Sequence, residues 1–124
     1  NRDDKRIIGI STARKNPYGG QVVLDSVNSY LGHIGEESVG SEAIDFIDDY
    51  VLDGYGAYNN EVLEVIRDVL IKDGIPLDTT YTGKGFWGMT EFIKENQIAG
   101  KNILFIHTGG TPLFFDDLEV FVND

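Results

Sequence analysis

The sequence predicts an α/β domain, with a partial, open, mainly parallel sheet and flanking helices. Three observations point there. Short apolar runs, RIIGI near the start and ILFI before residue 107, give way to small or polar residues, as buried strands do. Longer stretches between them place apolar residues at helical spacing. Glycine corners separate the two kinds of segment, and no internal repeat or low-complexity linker divides them.

Residues 6–11, RIIGIS, read as a short buried strand, followed by STARKNPYGG, where Pro17 and paired glycines make a loop. From Gln21, QVVLDSVNSYLGHI sets Val23, Val27, Tyr30, Leu31 and Ile34 on one helical stripe that ends near Gly32 or Gly35. Residues 36–42 are loop-like. AIDFIDDYVLDGYG then holds two brief extended apolar pieces, because Asp48, Asp49, Asp53 and the glycines interrupt any long helix. The clearest helix is NNEVLEVIRDVLIKDG, with Val62, Leu63, Ile66, Val69 and Leu70 at helical offsets. Asn59 or Asn60 caps its start, Gly74 ends it, and Glu61 and Glu64 sit at the favourable end of its dipole.

After IPLD and the polar stretch DTTYTGKG, FWGMTEFIKEN reads as another helix. IAGKNILFIHTGG gives the strongest strand signal, a compact apolar run entering a glycine corner. TPLFFDDLEVF begins with a short helix, since Pro112 fits an early helical position.

At 124 residues the chain suits one small domain or a piece of a larger one. Asp and Glu number 21 against 10 Lys and Arg, a formal net charge of -11, and no basic cluster interrupts that balance. Nucleic acid and anionic membrane surfaces are therefore not expected partners, although backbone N–H groups can still hold a ligand phosphate. Cysteine is absent, which removes disulfides and thiol chemistry and agrees with a cytoplasmic location. No run of 18 apolar residues is present, and NRDDKR does not lead into a signal sequence.

Ligands of open α/β sheets meet the carboxyl ends of strands, which directs attention to ISTARK, HTGG and GYG. Thr108 offers a hydroxyl while Gly109 and Gly110 allow close backbone approach; the same glycines also suit a simple turn. Tyr81 and Thr82 could orient a ligand or move a proton, or Thr79, Thr80 and Thr82 could serve turn and cap bonds. Lys84 lies outside a Walker motif, because TGKG lacks both the earlier glycine and the following Ser or Thr; a solvated or locally structural role is expected. His107 either meets a ligand or bonds loop backbone, and His33 suits a helix end. Two separated histidines and scattered carboxylates form no metal motif, so no metal is expected. Asp48, Asp49, Asp53, Asp116 and Asp117 read as solvated or turn residues. Phe86, Trp87, Phe114 and Phe115 read as packing residues.

Taken in order, Tyr55, the YTGKGFWGM block from Tyr81 and NILFIHTGGTPLF from Asn102 are more specific than any one piece. From about Arg6 through Phe115 the chain resembles the C-terminal portion of the D-cysteine desulfhydrase and 1-aminocyclopropane-1-carboxylate deaminase family. DGIPLDTTYTGK and HTGG carry most of that resemblance. It implies the large domain of the tryptophan-synthase-β-like fold (fold type II) and the cofactor pyridoxal 5'-phosphate. Residues 1–124 would then be a C-terminal fragment of the domain that binds it.

By the same resemblance, Tyr55 and Tyr81 are catalytic residues on the substrate side, Thr82 borders the pyridine ring, Thr108 lies near the pyridine nitrogen and Gly109 forms part of the cofactor wall. The deaminase branch typically has glutamate where Thr82 stands, so threonine looks more like the desulfhydrase branch. Lys84 belongs to YTGK and does not match the family's Schiff-base lysine. That lysine, a smaller domain and a phosphate loop are expected in an N-terminal portion of the same polypeptide. The implied whole protein is a homodimer acting on a small amino acid, with D-cysteine elimination as the expected reaction, cyclopropane ring opening as the alternative, and a noncatalytic α/β module as a third reading.

Overall fold

Two short strands pair in parallel in the computed structural model, which describes residues 5–122. Strand β1 (Gly9–Ile10) lies beside β2 (Phe46–Ile47), with Gly9 opposite Phe46 and Ile10 opposite Ile47. The pairing continues at both ends, where Gly9 N–H donates to Asp45 and Ser11 N–H to Ile47, each at 2.8 Å. Parallel strands need a long crossover, and helix α1 (Tyr18–His33) provides it. After a single 3-10 turn (Ser41–Ala43) and β2, the chain forms α2 (Asn60–Asp73), α3 (Thr82–Glu95), α4 (Thr111–Asp116) and α5 (Leu118–Val122). A small parallel sheet with flanking helices is the α/β arrangement expected from the sequence.

Helix α2 forms where its caps say it should. Asn59 is extended and its side chain accepts from Val62 N–H at 3.0 Å, and Gly74 closes the other end at φ 69°. Its inward stripe is Val62, Ile66 and Val69, which join Leu77 and Phe114 in the buried core. Helix α3 packs along α2, and Phe86, Trp87, Phe105 and Phe121 complete the cluster from partly buried positions. Phe114 is buried as expected of a packing residue, whereas Phe115 is 59% exposed and touches it edge-on.

Three sequence expectations are corrected. The strand covers two residues rather than all of RIIGIS, and Ile7 is 86% exposed. Helix α1 starts at Tyr18, before Gln21, and Val23, Tyr30 and Ile34 of its expected inward stripe are exposed. Only its first turn is pressed against the sheet, where Gly19 is buried and a Cβ would run into the Phe46 ring. Residues 103–106, the strongest strand signal, form no strand, because their backbone groups find no ladder partner among the described residues. Phe105 alone turns in, edge-on to Phe86 at 5.0 Å, while Leu104 and Ile106 stay exposed.

Candidate functional site

The site begins with one carboxylate that sequence reasoning passed over. Asp78 is fully buried at the start of α3. Its Oδ2 accepts from the N–H groups of Thr80 and Tyr81 at 2.9 and 2.7 Å, and its Oδ1 accepts from Thr82 N–H and Thr82 Oγ1 at 2.8 and 2.6 Å. The Thr82 hydroxyl in turn accepts from Asp78 N–H at 3.0 Å. Thr80 and Tyr81 belong to the turn that leads into α3 and Thr82 is its first residue, whose N–H has no helical partner, so one carboxylate both closes the turn and caps the helix. An aspartate two to four residues ahead of these donors, in DTTYT, was the legible signal.

Two glycine-rich corners meet at Asp78. A Cβ on Gly110 would overlap the Asp78 carboxylate, and Gly110 has φ 87°, so backbone and side chain can approach only through glycine. Thr79 Oγ1 donates to Asp117 at 2.7 Å and ties the same turn to the end of α4.

Lys84 is the second buried charge, and of the two roles expected for it the solvated one is excluded. Its side chain is fully buried, and Nζ donates to the carbonyls of Gly54, Thr12 and Val51 at 2.9, 3.0 and 3.2 Å. The locally structural role is the one observed. Burial lowers its pKa from the usual lysine value. Gly83 lets the helix sit this deep, since a Cβ there would strike the Asp78 carbonyl and the Ile66 side chain.

Above this layer an open hollow of about 520 Å³ lies at the carboxyl end of β1. Ser11, Thr12, Arg14 and Phe46 form part of its wall, and Tyr55 and Tyr81 stand at its side. The two phenol oxygens are 2.6 Å apart and the rings meet edge-on at 5.8 Å. Whichever phenol donates within the pair, the other keeps its proton for a ligand. The Tyr81 pKa is raised, chiefly by the Tyr55 hydroxyl, so Tyr81 stays protonated at neutral pH. Ser11 is already committed, its hydroxyl donating to the Arg14 carbonyl at 2.6 Å.

Of the five candidate residues, the structure brings Tyr55 and Tyr81 together, from loops that the sequence separates by 26 positions. Thr82 follows Tyr81 but turns inward, 2% exposed, to Asp78. Thr108 is exposed beside Gly109, which has φ 122°. That corner is steadied by His107, whose Nδ1 accepts from Gly109 N–H at 3.3 Å and whose Nε2 lies 3.1 Å from the Pro76 carbonyl. His33 is the last residue of α1. Among the described residues no three His, Asp or Glu side chains gather as a metal site, and no helix is long and apolar enough to cross a membrane.

A parallel α/β unit with hydroxyls beside a hollow at a strand's carboxyl end is the arrangement in which open α/β sheets generally meet their ligands. Relatives give it a family. No protein-family model matches the chain. A protein of Pyrococcus horikoshii described as "Putative 1-aminocyclopropane-1-carboxylate deaminase" is 35% identical over 109 residues, 87% of this chain and 32% of its own length. One of the same description from Thermotoga maritima is 32% identical over 108 residues, 84% of this chain and 32% of its own length. The crystal structure of an ACC deaminase homologue superposes with a TM-score of 0.81 at 28% identity, covering 97% of this chain and 36% of that one. The chain belongs to this 1-aminocyclopropane-1-carboxylate deaminase-like family, as the resemblance at YTGK and HTGG implied. It spans about a third of the length of the curated relatives it matches.

Proposed function

We infer that the chain supplies one wall of the active site of a pyridoxal-phosphate-dependent enzyme acting on a small amino acid, with the remainder of a longer polypeptide supplying the rest. The observation that carries this reading is the Tyr55–Tyr81 hydroxyl pair beside the hollow. The residues present fit such a wall: neutral hydroxyls and a glycine corner, with Thr108 exposed and Gly109 and Gly110 in conformations that only glycine adopts easily. Lys84 does not fit as the lysine that carries the cofactor, because its three donors are already taken by carbonyls. Pyridoxal phosphate, when bound, supplies the electron sink for bond breaking at the amino acid's α carbon. Tyr81 and Tyr55 would orient the substrate carboxylate and hold a proton at the phenol oxygen for the departing group.

The whole-protein reaction proposed is β-elimination: D-cysteine and water give pyruvate, ammonia and hydrogen sulfide. Thr82 supports this branch. A glutamate in its place would bring a second carboxylate into buried space beside Asp78, where two like charges raise each other's energy. Ring opening of 1-aminocyclopropane-1-carboxylate, the reaction in the relatives' names, is the second reading. A cysteine-free chain of this kind suits the cytoplasm.

The test is to incubate the intact protein, reconstituted with pyridoxal phosphate, with D-cysteine and with the cyclopropane acid in parallel. Sulfide and pyruvate without ring opening support elimination, whereas the four-carbon 2-oxo acid alone supports the second reading. Tyr81→Phe should lower kcat by about 10²-fold or more on the true substrate. Failure to take up the cofactor, with no turnover of either acid, would overturn the proposal.

A further inference from the structure

We propose that Lys84 is a positioning residue for the Tyr55–Tyr81 pair: by holding the carbonyls of Thr12, Val51 and Gly54 together, its ammonium fixes the turn carrying Tyr55 against the helix start carrying Tyr81. A catalytic consequence of this clamp rests on the function proposed above; the clamp itself rests on geometry.

The three carbonyls come from segments 72, 33 and 30 residues away from Lys84 in the sequence. Thr12 is part of the hollow's wall, and Gly54 immediately precedes Tyr55. Lysine suits the task because an ammonium is a compact group with three donors and no acceptor, so three converging carbonyls use it fully. Among the described residues no side-chain oxygen is bonded to it, and all three partners are carbonyl dipoles.

The turn it grips does not hold its shape cheaply. Leu52 lies at φ 59° in the left-handed region, which costs a side-chain-bearing residue about 1 kcal/mol or more. Gly54 and Gly56 follow at φ 124° and 75°. The turn's own hydrogen bonds are long, Gly54 N–H to Val51 at 3.3 Å and Ala57 N–H to Gly54 at 3.2 Å. Lys84 adds a second, charge-assisted bond to each of those same carbonyls, and such bonds are about twice as strong as neutral ones.

Tyr81 is mounted on the opposing side. Its N–H donates to Asp78 and its carbonyl accepts from Gly85 N–H at 2.9 Å, while Gly83 N–H donates to the Asp78 carbonyl at 2.8 Å, so the residues on either side of Lys84 are fixed to the same helix start. One phenol thus rides on the gripped turn and the other on the element that grips it. Yet Tyr55 is 69% exposed, so little packing holds it in place.

Phenol ionisation of Tyr81 in the intact protein, isolated by difference against Tyr81→Phe, tests the clamp without relying on activity. In the wild-type background, Tyr55→Phe should move Tyr81 toward the ordinary tyrosine range by removing its partner hydroxyl. In Lys84→Met, with helix content verified by circular dichroism, Tyr81 should already lie there, and adding Tyr55→Phe should change nothing more. Lys84→Gln keeps two N–H donors on a shorter side chain and serves if the methionine form does not fold; Tyr81 should then lie between the two limits. In either folded form, a Tyr55→Phe effect as large as in the wild type overturns the proposal. Turnover is measured separately. With the proposed substrate, Lys84→Met should lose about 10²-fold in kcat with KM little changed, and the double variant with Tyr55→Phe should be no slower than the slower single variant. An intact protein that turns over neither amino acid sinks the functional reading, while the titration still decides the clamp.

Discussion

Tyr50 holds its proton for a reason different from that of Tyr81. It is 5% exposed, its hydroxyl donates to Glu95 at 2.7 Å, and its ring meets Trp87 edge-on at 5.7 Å. Burial first and the Glu95 carboxylate second push its pKa well above the ordinary value of 10.0. The folded chain therefore keeps a proton that the unfolded chain releases in alkali. That stabilisation is complete below the unfolded pKa and is lost as pH rises toward the folded one. Urea denaturation at about pH 8 and about pH 11 should show wild-type stability falling across this window, with a shallower fall in Tyr50→Phe. An equal fall in both would remove Tyr50 from the account. Little of this was legible in sequence, since Tyr50 sits among aspartates that read as solvated. Sequence left Lys84 between a solvated and a structural role for a similar reason: glycines on both sides suggest an open turn, but here they allow a helix to sink far enough to bury the side chain.

Helix α2 was readable because both of its ends and its inward stripe are local properties. Asn59→Ala should remove the bond to Val62 N–H and lower the unfolding free energy by about 1 kcal/mol, while Asn59→Asp should stay close to wild type; equilibrium denaturation distinguishes them. A neutral alanine would mean that tertiary packing alone sets the helix start. Residues 103–106 taught the opposite lesson. An apolar run of isoleucine, leucine and phenylalanine shows that a segment would suit a strand, but a strand exists only where another offers its backbone. Helix α3 began earlier than its apolar residues suggested, at Thr82, because the Asp78 carboxylate rather than hydrophobic spacing sets its first turn.

Across the whole molecule, large apolar side chains remain in water. Ile7, Leu104 and Ile106 are 86%, 85% and 69% exposed, and much of α1 is uncovered. The chain on its own should consequently bind a hydrophobic dye and self-associate as its concentration rises. Leu104→Lys combined with Ile106→Lys should reduce both effects without shifting the denaturation midpoint, as dye fluorescence and sedimentation can show. A shifted midpoint would mean these side chains already support the fold. The family was legible from YTGK and HTGG, and only that resemblance set Tyr55 and Tyr81 on the same side of a site; their direct hydroxyl contact was not foreseen. Periodicity had no means of bringing loops around Gly54 and Asp78 face to face.

Where Gly110 touches Asp78, two distant stretches of chain share one register mark. Length changes elsewhere between them can be absorbed by the exposed run around residues 99–104, but none can be absorbed at the mark itself. A single added methyl at Gly110 would be felt first 32 positions upstream, as a loosened helix entry next to Tyr81.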